Sequence, residues 1–260
     1  MADYLDILAR DAQLRLATGY YERLGETWGG RRRSLKQSIL ECAKAAVIAE
    51  IKPQSPSSGM LMKDRDVGEL AQDFALGGAI GISVLTEPVH FKGSLENMCL
   101  ARRHVNLPIL MKDIVLDPVQ IEAAAKTGAN CVLLIQALHD RGHSTYEVET
   151  LIEKAHSENL EVLLETHTIK EFSSALDSSA DLIGINNRDL ATLKTDLRTT
   201  AILLESCSAK SKVILSESGI ETPEDIRFLS KFGARAFLVG TCLMKARDPR
   251  LKVEELVNSL

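Results

Sequence analysis

The chain has 260 residues, of which 45% are hydrophobic and 26% charged; that is enough apolar material for a full core at the usual size of one barrel domain, and it excludes a disordered protein. Its formal net charge of -5 does not favour general binding to nucleic acid or to an anionic membrane surface, so an anionic small ligand would have to meet locally placed cations. No stretch reaches the ~18 uninterrupted apolar residues that a membrane span needs, and a soluble, cytoplasmic protein is expected.

Residues before Ala45 carry Leu5, Leu8, Ala9 and Ala12 at helical spacing. That segment is too long to be a frayed end, so residues 1–44 are expected to form a helical extension that caps one end of the domain. The basic run Arg31-Arg32-Arg33 lacks interleaved aromatics and adjoins Gly29-Gly30, which reads as a solvated connector rather than an RNA-binding arm. Eight apolar runs bounded by turn residues follow as strand candidates: Ala45–Lys52, Ala79–Leu85, Pro108–Lys112, Cys131–Gln136, Glu161–Glu165, Leu182–Asn186, Val213–Glu217 and Ala236–Val239. They recur about every 20 to 35 residues, the length of a βα unit. Between them, Val67, Leu70, Ala71, Phe74 and Ala75, and again Val148, Leu151, Ile152 and Ala155, keep helical periodicity. Three junctions repeat one pattern, a helix closed by glycine and followed by an apolar strand: Leu76 to Val84, Lys126 to Leu134 and Lys231 to Val239.

Eight strands, each followed by a helix, predict a closed (β/α)8 TIM barrel, with an open doubly wound sheet as the alternative. Nothing resembles a Pro/Ser-rich linker, so residues 1–260 are expected to be one domain with the helical extension packed on the barrel. The cysteines Cys42, Cys99, Cys131, Cys207 and Cys242 are odd in number and lie far apart. They read as buried thiols in a reducing compartment rather than a disulfide framework or zinc site. No H-E-x-x-H pattern is present and no metal is expected; His139, His143 and His167 read as solvated loop histidines.

Strand parity locates the chemistry, because alternate residues point into a barrel and the last inward one faces the active-site end. Ile48, Glu50 and Lys52 share a face in the first strand, Leu110 and Lys112 in the third, Leu163 and Glu165 in the fifth, Gly184 and Asn186 in the sixth, and Leu215 and Glu217 in the seventh. One polar strand end is what any strand running into solvent leaves; five together are not. Enclosed lysines and glutamates shift one another's pKa values as acid/base catalysis requires, although this pattern does not specify the substrate.

A phosphate site is placed independently, after strands seven and eight. Ser216-Glu217-Ser218-Gly219-Ile220 leads to Thr222 as a cap and Pro223 at the first helical position, and Val239-Gly240-Thr241-Cys242-Leu243-Met244 reads as a short helix opening on an anion. The hydroxyls of Ser55-Pro56-Ser57-Ser58-Gly59 either complete that cup or belong to an ordinary turn.

Taken in order, the blocks Ala49-Glu-Ile-Lys-Pro-Gln-Ser-Pro-Ser57, Ile82-Ser-Val-Leu-Thr-Glu87, Phe91-Lys-Gly-Ser94, Leu110-Met-Lys-Asp113, Asp117-Pro-Val-Gln-Ile121, Ile183-Gly-Ile-Asn-Asn-Arg-Asp-Leu190, Ser216 to Ile220 and Val239 to Met244 resemble the indole-3-glycerol-phosphate synthase family of tryptophan biosynthesis. The resemblance runs through essentially the whole chain. It implies ring closure of 1-(2-carboxyphenylamino)-1-deoxyribulose 5-phosphate, with loss of CO2 and water, and no cofactor or metal. It further implies that Lys112 is the general acid on the carbonyl, that Lys52 holds the substrate carboxylate and assists dehydration, and that Glu165 is a general base. Glu50, Asn186, Arg188, Glu217 and Ser83 match the polar wall around the ribulose chain. Ser55, Gly219, Gly240 and Thr241 match the phosphate cup, with Ser218 beside them, and Phe91 and Leu190 match the pocket for the aromatic ring. Pro53-Gln54, Met111 and Ile114 depart from the common family pattern and are expected to alter the fine shape of that pocket.

The resemblance implies a sugar-phosphate substrate, no nucleic-acid or membrane partner, and a monomer that associates, if at all, with other tryptophan-pathway enzymes. Three alternatives remain at this point. Phosphoribosylanthranilate isomerase or tryptophan synthase α-type barrels share the phosphate architecture but need no lysines ending strands one and three. A Schiff-base aldolase would use Lys112 as a nucleophile. A catalytically silent barrel would bind a sugar phosphate or a partner and have no need of these acids and bases.

Overall fold

The computed structural model of the chain describes residues 3–23, 28–30, 32–56, 58–62, 65–209 and 211–260. Eight parallel strands close into a barrel in chain order: β1 (Ala46–Ile51), β2 (Gly81–Leu85), β3 (Ile109–Lys112), β4 (Cys131–Ile135), β5 (Glu161–Thr166), β6 (Leu182–Asn186), β7 (Val213–Glu217) and β8 (Ala236–Val239), with β8 pairing back onto β1. The closure rules out the open-sheet alternative. Strand limits fall within two residues of those expected; Gln136 leaves the fourth strand to open a short helix, and Lys52 stands just beyond the end of the first. A small antiparallel ladder, Gln54–Ser55 against Gly59–Met60, shapes the loop after β1.

Local chemistry accounts for the helix ends. The helix Pro118–Thr127 opens on an Asp117/Gln120 capping box with proline at its start, and Pro223–Lys231 starts as expected with Thr222 as cap and Pro223 at the first helical position, Asp225 completing a capping box. The left-handed glycines of the three repeated junctions are Gly78, Gly128 and Gly233. Side chains alternate between two cores. Ile48, Leu110, Leu133, Leu163, Leu215 and Leu238 fill the barrel, and Val47, Ile82, Ile109, Val132, Ile183 and Phe237 face the helical layer. Each such side chain contributes about 1.5–3 kcal/mol on burial.

The N-terminal segment does not cap one end. Among the described residues its two α-helices, α1 (Tyr4–Ala17) and α2 (Leu35–Glu41), divide between the two ends of the barrel. At the N-terminal mouth, the carboxylate of Glu161, first residue of β5, accepts from the Leu35 and Lys36 amides at 2.7 and 3.2 Å and from the Ser34 hydroxyl. A negative charge is thereby held at the start of α2, where the helix dipole favours it. At the opposite mouth, Arg15 of α1 meets Glu87 and Asp113, which follow β2 and β3.

The basic connector is not simply solvated. Arg32 donates to the carbonyls of Ala125 and Ala129, where a helix ends, and Arg102 lies over the Trp28 ring at 5.3 Å; Arg31 lies outside the described residues. Of the five free thiols only Cys131 is fully buried, the other four being half-buried. No helix among the described residues is long and apolar enough to cross a membrane.

Candidate active site

The C-terminal strand ends surround a cavity of about 280 Å³. Glu50 from β1, Lys52 just after it, Lys112 from β3, Glu165 from β5, Asn186 from β6 and Glu217 from β7 all line it. Period-two alternation puts these side chains inside; the close approach of strand ends then makes them one charged cluster. Lys112 Nζ lies 3.0 Å from Glu165 Oε2 and 3.1 Å from Glu217 Oε2. Lys52 Nζ pairs with Glu50 Oε1 at 2.5 Å. Asn186 Nδ2 donates to Glu165 Oε1 at 3.0 Å, and Asn186 Oδ1 accepts from the Arg188 amide at 2.9 Å, which fixes the amide orientation.

Burial works against the Lys112 charge, but Glu165, Glu217 and Glu50 more than offset it, and the ammonium is held well above its ordinary pKa. Burial pushes Glu217 up to about 7, against the lowering influence of Lys112. At neutral pH the cluster thus holds a persistent proton donor beside a carboxyl able either to give or to take a proton. Two glycines make room for the acids. A Cβ at Gly184 would fall well inside contact distance of Glu217 Oε1, and one at Gly240 would lie 2.7 Å from Glu50 Oε1.

Ser55, Ser218, Gly219, Gly240 and Thr241 line the same cavity, so the expected phosphate cup and the charged cluster share one space. Ser218 and Gly219 both have left-handed φ, 69° and 81°, which turns the backbone sharply after β7. Ser57 lies outside the described residues. Lys245 was not anticipated: it lines the cavity one helical turn beyond Thr241, with Nζ 3.3 Å from Ser58 Oγ. The spacing of four from Thr241 is the signal that could have found it. Phe91 and Leu190 form an apolar wall with Ile114 and Ile135, completed by Tyr4 and Leu8 of α1. Burial, then Glu87 and Asp11, push the Tyr4 hydroxyl up to about 12. Arg188 also lines the cavity; its guanidinium donates to the Leu193 carbonyl at 2.9 Å, and burial lowers its pKa.

Some expected members stand elsewhere. Ser83 is wholly buried and does not line the cavity; it sits behind Glu50, with its hydroxyl 3.4 Å from Glu50 Oε2. Of the family departures only Ile114 reaches the cavity. Met111 packs in the helix-facing core, and Gln54 donates to the His90 carbonyl at 3.2 Å. The three histidines near strand ends are anchored rather than merely solvated. His143 Nε2 contacts Asp6 at 3.0 Å, His139 Nδ1 the Tyr146 carbonyl at 3.1 Å and His167 Nδ1 the Asn186 carbonyl at 2.7 Å. His139 and His143 are four apart, yet the helix Gln136–Asp140 ends between them, so they share no helical face.

The sequence model of the indole-3-glycerol phosphate synthase family matches residues 24–256. An indole-3-glycerol phosphate synthase from Bordetella pertussis is 44% identical over 214 residues, 82% of this chain and 80% of that protein. One from Methanopyrus kandleri is 42% identical over 230 residues, 87% of this chain and 88% of that protein. Among solved structures, a thiamine phosphate pyrophosphorylase from Pyrococcus furiosus superposes with a TM-score of 0.62 at 18% identity, over 86% of this chain and 96% of that one. An N-acetylmannosamine-6-phosphate 2-epimerase from Clostridium perfringens does so at 0.60 and 16%, over 84% and 93%. At such low identity these two likenesses concern the fold alone.

Proposed function

The chain belongs to the indole-3-glycerol phosphate synthase family, and from that premise we propose how its strand-end groups turn 1-(2-carboxyphenylamino)-1-deoxyribulose 5-phosphate into indole-3-glycerol phosphate, as a carbon–carbon lyase. Ser55, Ser218, Gly219, Gly240 and Thr241 take the phosphate, with Lys245 adding a cation at the rim. Phe91 and Leu190 take the aromatic ring, and Lys52 takes its carboxylate. The ring carbon bearing that carboxylate attacks the ribulose carbonyl, and Lys112 delivers a proton to the oxygen as negative charge develops on it. Loss of CO2 returns the bond electrons to the ring. Glu165 then takes a proton from the chain carbon next to the nitrogen while Lys52 gives one to the hydroxyl, so that the C–O bond breaks, water leaves and the indole double bond forms. Glu50, Asn186, Arg188 and Glu217 hold the chain and the two lysines in register. The reaction needs no cofactor or metal, and we place the enzyme in the cytoplasm as a monomer.

The observation that carries this reading is the pair of lysines, each bound to its own buried carboxylates within one cavity. It also counts against the aldolase alternative, because a nucleophilic lysine needs a depressed pKa and that of Lys112 is raised. Borohydride with a carbonyl substrate should therefore trap no adduct. The direct test is to incubate the protein with the carboxyphenylamino-deoxyribulose phosphate and follow indole absorbance and fluorescence; absence of an indole product overturns the reading. Inorganic phosphate should compete with substrate.

A further inference from the structure

Two of the sequence blocks end in carboxylates that the chemistry leaves unused: Glu87 closes the block after β2, and Asp113 follows Lys112. Both are almost completely buried, and both converge on one cation from α1. Arg15 Nη1 lies 2.7 Å from Glu87 Oε1 and Nη2 3.4 Å from Asp113 Oδ1, with side-chain exposures of 8% for Arg15, 1% for Glu87 and 0% for Asp113. Tyr21 completes the ring of contacts: its hydroxyl accepts from Arg15 Nε at 3.2 Å and donates to Asp113 Oδ2 at 3.2 Å. Thr86 donates to the same Asp113 oxygen at 2.7 Å.

What these carboxylates hold gives the network its meaning. Glu87 accepts backbone amides from Val89, His90 and Phe91, at 3.1, 2.6 and 3.0 Å, so its position sets where the Phe91 ring stands in the cavity wall. Asp113 is the residue after Lys112 and accepts the Ile114 amide at 2.8 Å; Ile114 is another member of that wall. The third party is α1 itself, whose Tyr4 and Leu8 close the same wall.

We propose that Arg15 is a positioning residue that assembles the aromatic-ring pocket, docking α1 and drawing the Phe91 and Ile114 segments into register through Glu87 and Asp113. The proposal rests on the ring pocket assigned above. Without the guanidinium, two buried carboxylates would face each other uncompensated, and one must move, take up a proton or admit water. Lysine cannot replace it fully, because one ammonium lacks the planar fork that reaches both acids and Tyr21.

The test separates ligands with the ring from one without it. Arg15→Met, Arg15→Lys and Tyr21→Phe are compared with the wild type for KM, for calorimetric Kd of the unreactive analogue whose carbonyl is reduced to an alcohol, and for Kd of inorganic phosphate. Arg15→Met should raise KM and analogue Kd about tenfold or more, the scale of misplaced binding groups, and leave phosphate Kd unchanged. Arg15→Lys should recover part of the loss. Wild-type analogue affinity in folded Arg15→Met overturns the proposal, and so does equal weakening of analogue and phosphate. If Arg15→Met fails to fold, Tyr21→Phe decides: a smaller ring-selective loss supports the proposal and unchanged analogue affinity overturns it. Because binding is read without turnover, failure of the synthase reading is recognised separately, as a wild type that binds the analogue but forms no indole.

Discussion

Replacing Lys112 with methionine tests the centre of the mechanism, since it keeps the unbranched stem and removes the terminal ammonium with its charge and proton. Loss of a positioned general acid costs about 10²- to 10⁴-fold in rate, and Lys112 is expected at the upper end because no other cation lies between Glu165 and Glu217 among the described pairs. A second magnitude follows from the acids left behind. Glu217 already stands at about 7 against 4.5, which opposes its charge by about 3 kcal/mol, and stripping the partner from a buried charge adds about 3–5 kcal/mol while both acids stay ionised. The sign with pH follows from the raised pKa. Unfolded Glu217 ionises near 4.5 while the folded carboxyl keeps its proton until about 7, so its contribution to stability is full below 4.5 and lost as pH rises through 7. Removing Lys112 extends that window upward, so the variant should lose more stability at pH 8 than at pH 5 in urea melts. Single-turnover rates and analogue Kd complete the assay: ring closure should be abolished, with analogue binding little changed because Lys52 and the phosphate cup remain. Ring closure near the wild-type rate would refute Lys112 as the acid, and an equal stability loss at both pH values would refute the account of Glu217.

Glu165→Gln keeps the shape and the contact to Asn186 but loses the base, so kcat should fall by roughly 10²-fold or more; near-normal kcat makes Glu165 a structural partner of Lys112. Gly184→Ala places a methyl against Glu217 Oε1. Because the obstructed atom ends a side chain, the fold should survive with the carboxylate pushed away from Lys112 and kcat reduced about tenfold or more; a wild-type rate would mean that this contact can relax without cost. Thr241→Asp sets a carboxylate against the substrate phosphate and should raise KM strongly without unfolding the protein, acids being tolerated at a helix start; an unchanged KM removes Thr241 from the phosphate cup.

Periodicity and sequence blocks carried much of this in one dimension. A two-residue alternation is a property of each strand alone, which is why Glu50, Lys112, Glu165, Asn186 and Glu217 could be assigned to one face before any fold was known, and glycine or proline at helix ends marked the βα repeat. Depth inside the barrel is different, because it depends on the register between strands. Leu85 pairs level with Lys112 and lines the cavity, whereas Ser83, one inward step earlier and level with Glu50, is too short to reach it and stays behind the longer Glu50 side chain although it shares the inward face. The placement of α1 and α2 at opposite mouths likewise depends on contacts remote in sequence: Arg15 reaches partners 72 and 98 residues away. The notches that Gly184 and Gly240 leave for Glu217 and Glu50 exist only between neighbouring strands. Local sequence determined which residues face inward and where elements start and stop, because those depend on backbone period and capping. Which inward groups meet, at what depth, and under which helix was decided by closure of the barrel, because only closure brings distant strand ends within hydrogen-bonding reach.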